Sequence, residues 1–229
     1  MPFGASRAGL MSVAADDIPD SEVYFQDDWG DNKLQDRDGS GTTTYNGVEG
    51  VYRPEWNIEA GPATVDEGEL LLIADDELVA IDADININLD EPTTFEWTDV
   101  DASEGRDGTS ANVGLTCYAE TNNHIGRHTG EGQAGLENGY VVSILSAGSD
   151  VLFVSFDDGG FDDQLITASA TPPYDIRVER DSNYNWELFI DDDSQGTATD
   201  DSYQNANYTG YTTMSDDDVV LRVDEMKVS

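Results

Sequence analysis

Apolar and polar residues alternate along most of this chain. In Tyr174–Glu179 the residues Tyr174, Ile176 and Val178 fall on one side, and Asp175, Arg177 and Glu179 on the other. Trp186, Leu188 and Ile190 repeat the pattern after a polar stretch, Asp181 to Asn185, whose side chains suit a tight turn. A period of two marks strands with one buried and one wet face, so this segment predicts an antiparallel hairpin. The three aspartates that follow, Asp191 to Asp193, read as its solvated end. Upstream, Val79, Ile81, Ala83, Ile85, Ile87 and Leu89 alternate with polar or small residues and predict one long strand. TTFEWTDV, ANVGLTCYAE, GYVVSILSAG and DVLFVSFDD predict further strands, and DVVLRVDEMKVS a closing one. No long segment has the 3.6-residue period of an amphipathic helix. Many short strands separated by turns imply an all-β, two-sheet antiparallel sandwich around one core.

Charge changes the picture of the surface. The chain has 229 residues and 49 acidic against 10 basic side chains, a formal net charge of −39. Composition alone would place it among disordered proteins, but the regular alternation outweighs that. The acids occupy polar strand positions and loops throughout and form no single tract, so they are read as a solvated surface. Such a surface repels itself in dilute buffer; near 1 M salt the Debye length is about 3 Å and the repulsion is mostly screened. The Asp-rich, Lys-poor balance resembles proteins of extremely halophilic archaea and their viruses. It implies no nucleic-acid partner.

Cys117 is the single cysteine, so no internal disulfide or thiolate metal cluster is expected. No run reaches the 18 or so apolar residues of a membrane span, and the first residues lack the continuous apolar stretch of a cleaved signal peptide. Residues 1–20 read as an extended segment ahead of a sandwich spanning 21–229. A leader of this composition is expected to be mobile unless held, and Pro2, Phe3, Arg7, Leu10 and Met11 are the residues expected to dock on another subunit or protein.

Over roughly residues 22–229 the segments DEGELLLIA, TTFEW, VGLTCYAETNN, NGYVVSILSAGSDVLFVSFDDGG, YDIRVERDSNYNWELFIDD and VVLRVDEMKVS occur in the order of a concanavalin A-like (laminin-G-like) jelly roll. That resemblance implies that the last strand returns beside the first, EVYFQDDW. The pieces MPFGASRAGLMS and DDWGDNKLQDRDG also resemble structural proteins of haloarchaeal tailed viruses.

Sites of chemistry are sparse. Laminarinase-type enzymes of this fold carry E-x-D-x-x-E; the nearest match is Asp99, Asp101 and Glu104, with a shortened first carboxylate, in a stretch read as a loop. Retaining hydrolysis needs its two carboxyls about 5–5.5 Å apart on a rigid frame. These residues are therefore read as exposed acids. His124 and His128 share no helix and lack a third ligand. Calcium is the one cofactor carried forward, at Asp36 and Asp38 or at Asp157 and Asp158 with Asp162 and Asp163, although an acidic loop is preferred at both. Glycan contact is better supported: Asn205, Asn207, Tyr208 and Tyr211 combine amides with aromatic rings, and Tyr52 with Trp56 is a second group.

The leading expectation is a non-enzymatic structural protein on the outer capsid or tail surface of a haloarchaeal tailed virion. It would be a homo-oligomer docked through its leader to other virion proteins and touching host surface-layer glycans. The alternative is a cellular, extracellular or cell-surface carbohydrate-binding module, with a glycosidase third. Dialysis from molar salt into dilute buffer is expected to abolish the native circular dichroism; full retention would contradict the screening argument.

Overall fold

The computed structural model describes residues 25–30, 34, 43–45, 48–51, 56–74, 78–85, 87, 89–103, 112–125, 135–145, 148–157, 160–214 and 219–229. The residues expected to anchor the leader, Pro2, Phe3, Arg7, Leu10 and Met11, lie outside them, as do Tyr52, Asp36, Asp38, Asp158, Glu104 and His128.

Among the described residues the structure is strand and turn, without helix. The strands are β1 (Phe25–Asp27), β2 (Thr43–Tyr45), β3 (Val48–Val51), β4 (Asn57–Ala60), β5 (Ala63–Asp66), β6 (Glu69–Ala74) and β7 (Leu78–Asp84). They continue as β8 (Thr93–Val100), β9 (Asn112–Ala119), β10 (His124–Ile125), β11 (Gly135–Leu136), β12 (Gly139–Leu145), β13 (Asp150–Asp157) and β14 (Gly160–Ser169). The last six are β15 (Tyr174–Arg180), β16 (Asn185–Ile190), β17 (Asp193–Thr199), β18 (Tyr208–Met214), β19 (Val219–Val223) and β20 (Glu225–Val228). A six-stranded sheet, β1-β20-β8-β15-β16-β17, faces a seven-stranded sheet, β14-β13-β12-β9-β18-β7-β4. A smaller sheet, β19-β6-β5, and the hairpins β2–β3 and β10–β11 complete the strands. The fold is the all-β jelly-roll sandwich expected.

Alternation sets what each sheet buries. Ile176, Val178, Trp186, Leu188 and Ile190 point into the core from β15 and β16. Val113, Leu115, Tyr140, Val142, Val151 and Phe153 meet them from the other sheet. The hairpin forms as its pattern predicts: Asp181 Oδ1 accepts from the backbone N–H groups of Asn183 (2.7 Å) and Asn185 (3.0 Å), fixing the turn. The expected pairing of first and last strands is also present, with Phe25 opposite Val228 and Asp27 opposite Met226.

Three expectations change. Asp191 and Asp192 do not end the sheet; with φ of 51° and 65° they form a two-residue turn, and Asp193 opens β17. Both central residues at positive φ is the geometry whose twist suits a two-residue hairpin. The long strand expected over Val79–Leu89 stops at Asp84. Beyond it the buried Arg180 guanidinium donates to the carbonyls of Leu89 (2.9 Å) and Glu91 (2.6 Å), which a strand would have given to a neighbour. The closing strand is two strands: β19 pairs with β6 in the small sheet, Asp224 bends, and β20 enters the six-stranded sheet beside β8.

One buried carboxylate joins the two sheets at an edge. Asp27, on the edge strand β1, accepts from the N–H of Trp29 (3.0 Å) and from Trp56 Nε1 (2.7 Å), which leads into β4 at the edge of the opposite sheet. The rings of Trp29, Trp56 and Tyr211 pack around it with centroids 5.3–6.2 Å apart. Asp27 itself is fully buried. Its loss strands two buried donors, so Asp27→Ala is expected to cost about 3 kcal/mol in chemical denaturation at molar salt, and Asp27→Asn less. Equal stability of wild type and the alanine variant would contradict this role.

Candidate functional site

Chain segments from four parts of the sequence meet at one end of the seven-stranded sheet. β9 runs out into Glu120–Asn123, and the short β10–β11 hairpin leads back through Glu137 and Asn138 into β12. Residues 200–207 cross from the six-stranded sheet to β18, and β7 ends there at Asp84, opposite Tyr208. Close approach of β9 and β12 requires Gly139, because a Cβ there would lie 2.3 Å from the Tyr118 carbonyl oxygen. Leu136 lies over Gly210 in the same way: a Cβ on Gly210 would come within 3.2 Å of it.

The crossing segment is tied down from inside the core. The phenol of Tyr140 donates to Asp200 Oδ1 (2.6 Å), that of Tyr118 donates to the Tyr203 carbonyl (3.0 Å), and Trp186 Nε1 donates to the Asp200 carbonyl (3.0 Å). The three rings pack against one another, Tyr118 edge-on to Tyr140, and Tyr140 and Trp186 tilted at 4.4 Å between centroids. Their apolar bodies fill the sandwich while their polar tips reach its rim, the usual way a buried Tyr or Trp satisfies its polar atom. Burial, aided by the bond to Asp200, pushes the Tyr140 hydroxyl far above its ordinary range, and burial does the same at Tyr118.

Outside this anchor the segment presents side chains to solvent. Tyr203 is half-buried and packs edge-on against Tyr140 at 5.7 Å, leaving part of its ring exposed. Glu120 Oε1 accepts from Asn205 Nδ2 (2.8 Å) and from the Gln204 N–H (3.3 Å), while the Glu120 carbonyl accepts from Asn207 Nδ2 (3.0 Å). Across the β10–β11 connection Asn123 Nδ2 donates to Glu137 Oε2 (2.9 Å). The Tyr203 hydroxyl is held up at about 12, first by partial burial and then by the charges of Asp162, Asp157, Asp200 and Glu120. A half-buried tyrosine beside fixed amides and carboxylates can offer ring surface to an apolar sugar face and bond the hydroxyls around it.

The expected residues divide. Asn205, Asn207 and Tyr208 stand together here, Asn205 and Asn207 exposed and Tyr208 half-buried. Tyr211 and Trp56 are corrections: both are 0% exposed, in the aromatic cluster around Asp27, and offer no face to a ligand. Tyr211 lies three residues past Tyr208 on one strand, which turns its side chain to the opposite face of the sheet. Sequence reasoning missed Tyr203, Glu120, Asn123 and Glu137. Tyr203 carried the one local signal, a lone aromatic in the polar run DDSYQNAN; Glu120 reaches this segment only through the pairing of β9 with β18, and Glu137 reaches Asn123 only through the pairing of β9 with β12.

No group of three or more His, Cys, Asp or Glu is placed to hold a metal ion among the described residues. Asp157 is half-buried at the end of β13, and Asp162 and Asp163 are exposed on β14. Asp99 adopts φ 51° near the end of β8, and Asp101, just past that strand, makes an isolated bridge to Arg222. No described helix is long and apolar enough to cross a membrane.

No protein-family model matches the chain, and no curated protein matches its sequence. Solved structures share its fold. The carbohydrate recognition domain of Emp47p is 13% identical with a TM-score of 0.56, covering 76% of this chain and 87% of that one. The metal-free carbohydrate recognition domain of Emp46p gives the same values. A botulinum neurotoxin type C structure, whose cell entry depends on two ganglioside molecules, is 9% identical with a TM-score of 0.54, over 86% of this chain and 46% of that one. At these identities the likeness is one of fold.

An ultraviolet pH titration is expected to show one tyrosine ionising near 12 that Tyr203→Phe removes. Because the folded value is raised, its contribution to stability is complete below about 10, the ordinary tyrosine value, and is lost as pH rises through 12. Ionisation near 10 at that residue would contradict the packing described.

Proposed function

We propose that this chain is a non-catalytic carbohydrate-recognition module whose binding surface is the rim formed by Tyr203, Asn205, Asn207, Glu120, Asn123 and Glu137. The observation that carries the proposal is the partly exposed Tyr203 ring, braced from beneath by Tyr140 and flanked by amides and carboxylates already held in place. Preorganised polar groups around an aromatic face lower the ordering cost of binding a flexible polyol. The carbohydrate recognition domains of Emp46p and Emp47p, which share the sandwich, are consistent with this use.

The preference differs from that drawn from sequence. The arrangement of the described residues supports a recognition surface, whereas the viral resemblance is carried by MPFGASRAGLMS, which lies outside them, and DDWGDNKLQDRDG, which lies largely outside them. Display on a haloarchaeal virion is retained as one setting for the same module, beside an extracellular or cell-surface one; the chain's absence from purified virions by mass spectrometry would remove it.

A glycan array in molar salt is expected to find saccharides that bind the intact chain. Tyr203→Ala and Asn205→Ala should weaken that binding about tenfold or more, on the order of 1.4 kcal/mol, while retaining native circular dichroism. Thr94→Ala, on the outer face of the other sheet, should leave it unchanged. Binding indifferent to the two rim variants would defeat this assignment of the surface, and an array without binders would defeat the function.

A further inference from the structure

The sheets of the sandwich end in strands with a described neighbour on one side only, and such edges pair with a further strand unless something guards them. Among the described residues, five of the six edges of the three larger sheets are guarded. β1 is three residues long, β5 is four and ends in Asp66, and β19 carries Arg222, bridged to Asp101. β4 carries Glu59 at a shift of register, and β17 opens on Asp193 and bulges at Gln195. Shortness, charge and bulges are the devices that keep edges from pairing.

The edge of β14 has none of these over residues 166–170. Its register with β13 is regular from Ile166 opposite Phe153 to Ser169 opposite Asp150, and the Ala170 N–H continues the ladder to the Ser149 carbonyl (3.0 Å). Ile166 and Ala168 belong to the core and hold the strand in place, while Thr167 and Ser169 are exposed. From Gln164 to Tyr174 the chain carries no charged side chain, in a protein where 26% of residues are charged.

We propose that this edge pairs with the same edge of a second copy, antiparallel about a two-fold axis at Ala168, so that two seven-stranded sheets become one. The axis sets Thr167 opposite the partner's Ser169 and Ile166 opposite the partner's Ala170, and no like-charge pair arises. A second copy is favoured by charge: each chain has a formal net charge of −39, and two such surfaces approach with least repulsion where both are uncharged. It is favoured also by side-chain chemistry. Addition of a foreign strand draws its specificity from pockets for alternate side chains, whereas Thr167 and Ser169 offer hydroxyls that the same residues of a copy match. A contact of this isologous kind closes at two subunits. The rest of each surface stays acidic, so salt strengthens the pair by screening. The homo-oligomer expected through the leader is thereby assigned to a different surface.

The test is sedimentation velocity of the full chain at molar salt from about 1 to 100 μM. A species approaching twice the 24.9 kDa of the chain is expected, weakening as salt is lowered toward the limit of native circular dichroism. Thr167→Asp combined with Ser169→Asp sets like charges across the axis and should weaken the dimer at least about tenfold with native circular dichroism kept. Thr197→Asp, on the guarded edge of β17, should leave it unchanged. Hydrogen exchange of the unmodified chain gives a reading that needs no variant: amides within residues 166–170 should gain protection as concentration rises. A monomer throughout, a dimer indifferent to the paired variant, or exchange at 166–170 independent of concentration overturns the proposal.

Discussion

The proposed rim depends on three hydrogen bonds made by buried aromatic residues. Tyr118, Tyr140 and Trp186 place their rings in the sandwich core and hold residues 200–203 through a phenol, a phenol and an indole N–H. Without those acceptors the three polar tips would be buried without partners; without those donors the crossing segment would have only its outer contacts to Glu120. The constraint runs in both directions, so these buried rings of the core are also what places Tyr203 and Asn205. A surface positioned this way inherits the rigidity of the strands beneath it.

Acidity shapes the same molecule in two opposite senses. Asp181 is held down at about 2 by Asn185 and Asn183, so its contribution is present above the ordinary carboxylate range and lost as pH falls through that value. Asp224, where the chain bends between β19 and β20, is raised by burial and then by the charges of Asp99, Glu69, Asp175 and Glu225. A raised carboxyl contributes stability at low pH that is lost as pH rises. Near neutrality Asp224 therefore opposes folding; Glu179, set opposite Glu187 in the β15–β16 ladder, is offset by its ion pair with Arg177. Salt that shortens the Debye length to a few ångströms relieves the exposed members of this set most.

The hydrophobic pattern made most of the fold legible. β8, β15 and β16 bury alternate residues, and alternation is visible in a single sequence; β9, β12 and β13 are buried on both faces and announce themselves as nearly continuous apolar runs. What it left obscure was polar or locally determined. β17, DSQGTAT, is an edge strand with no buried apolar row to announce it. β14 interrupts its pattern with Phe161-Asp-Asp-Gln and pairs irregularly with β13. The course of the chain beyond β7 is tied at Leu89 and Glu91 to Arg180, some ninety residues away in sequence. The rim was half legible for the same reason: Asn205, Asn207 and Tyr208 lie together in the chain, whereas Glu120 and Glu137 arrive through strand pairing. Trp56 and Tyr211 showed the right residue types, but Trp56 is held inward by its bond to Asp27 and Tyr211 by its place on the inner face of β18.

The account is tested most directly by mapping amide chemical shifts of the labelled chain during titration with a bound saccharide. The account predicts perturbations concentrated at residues 120–123, 137–138 and 200–208, with little change on the outer face of β8, β15 and β16. Perturbations centred on that outer face, at Thr94, Glu179 and Glu187, would contradict it.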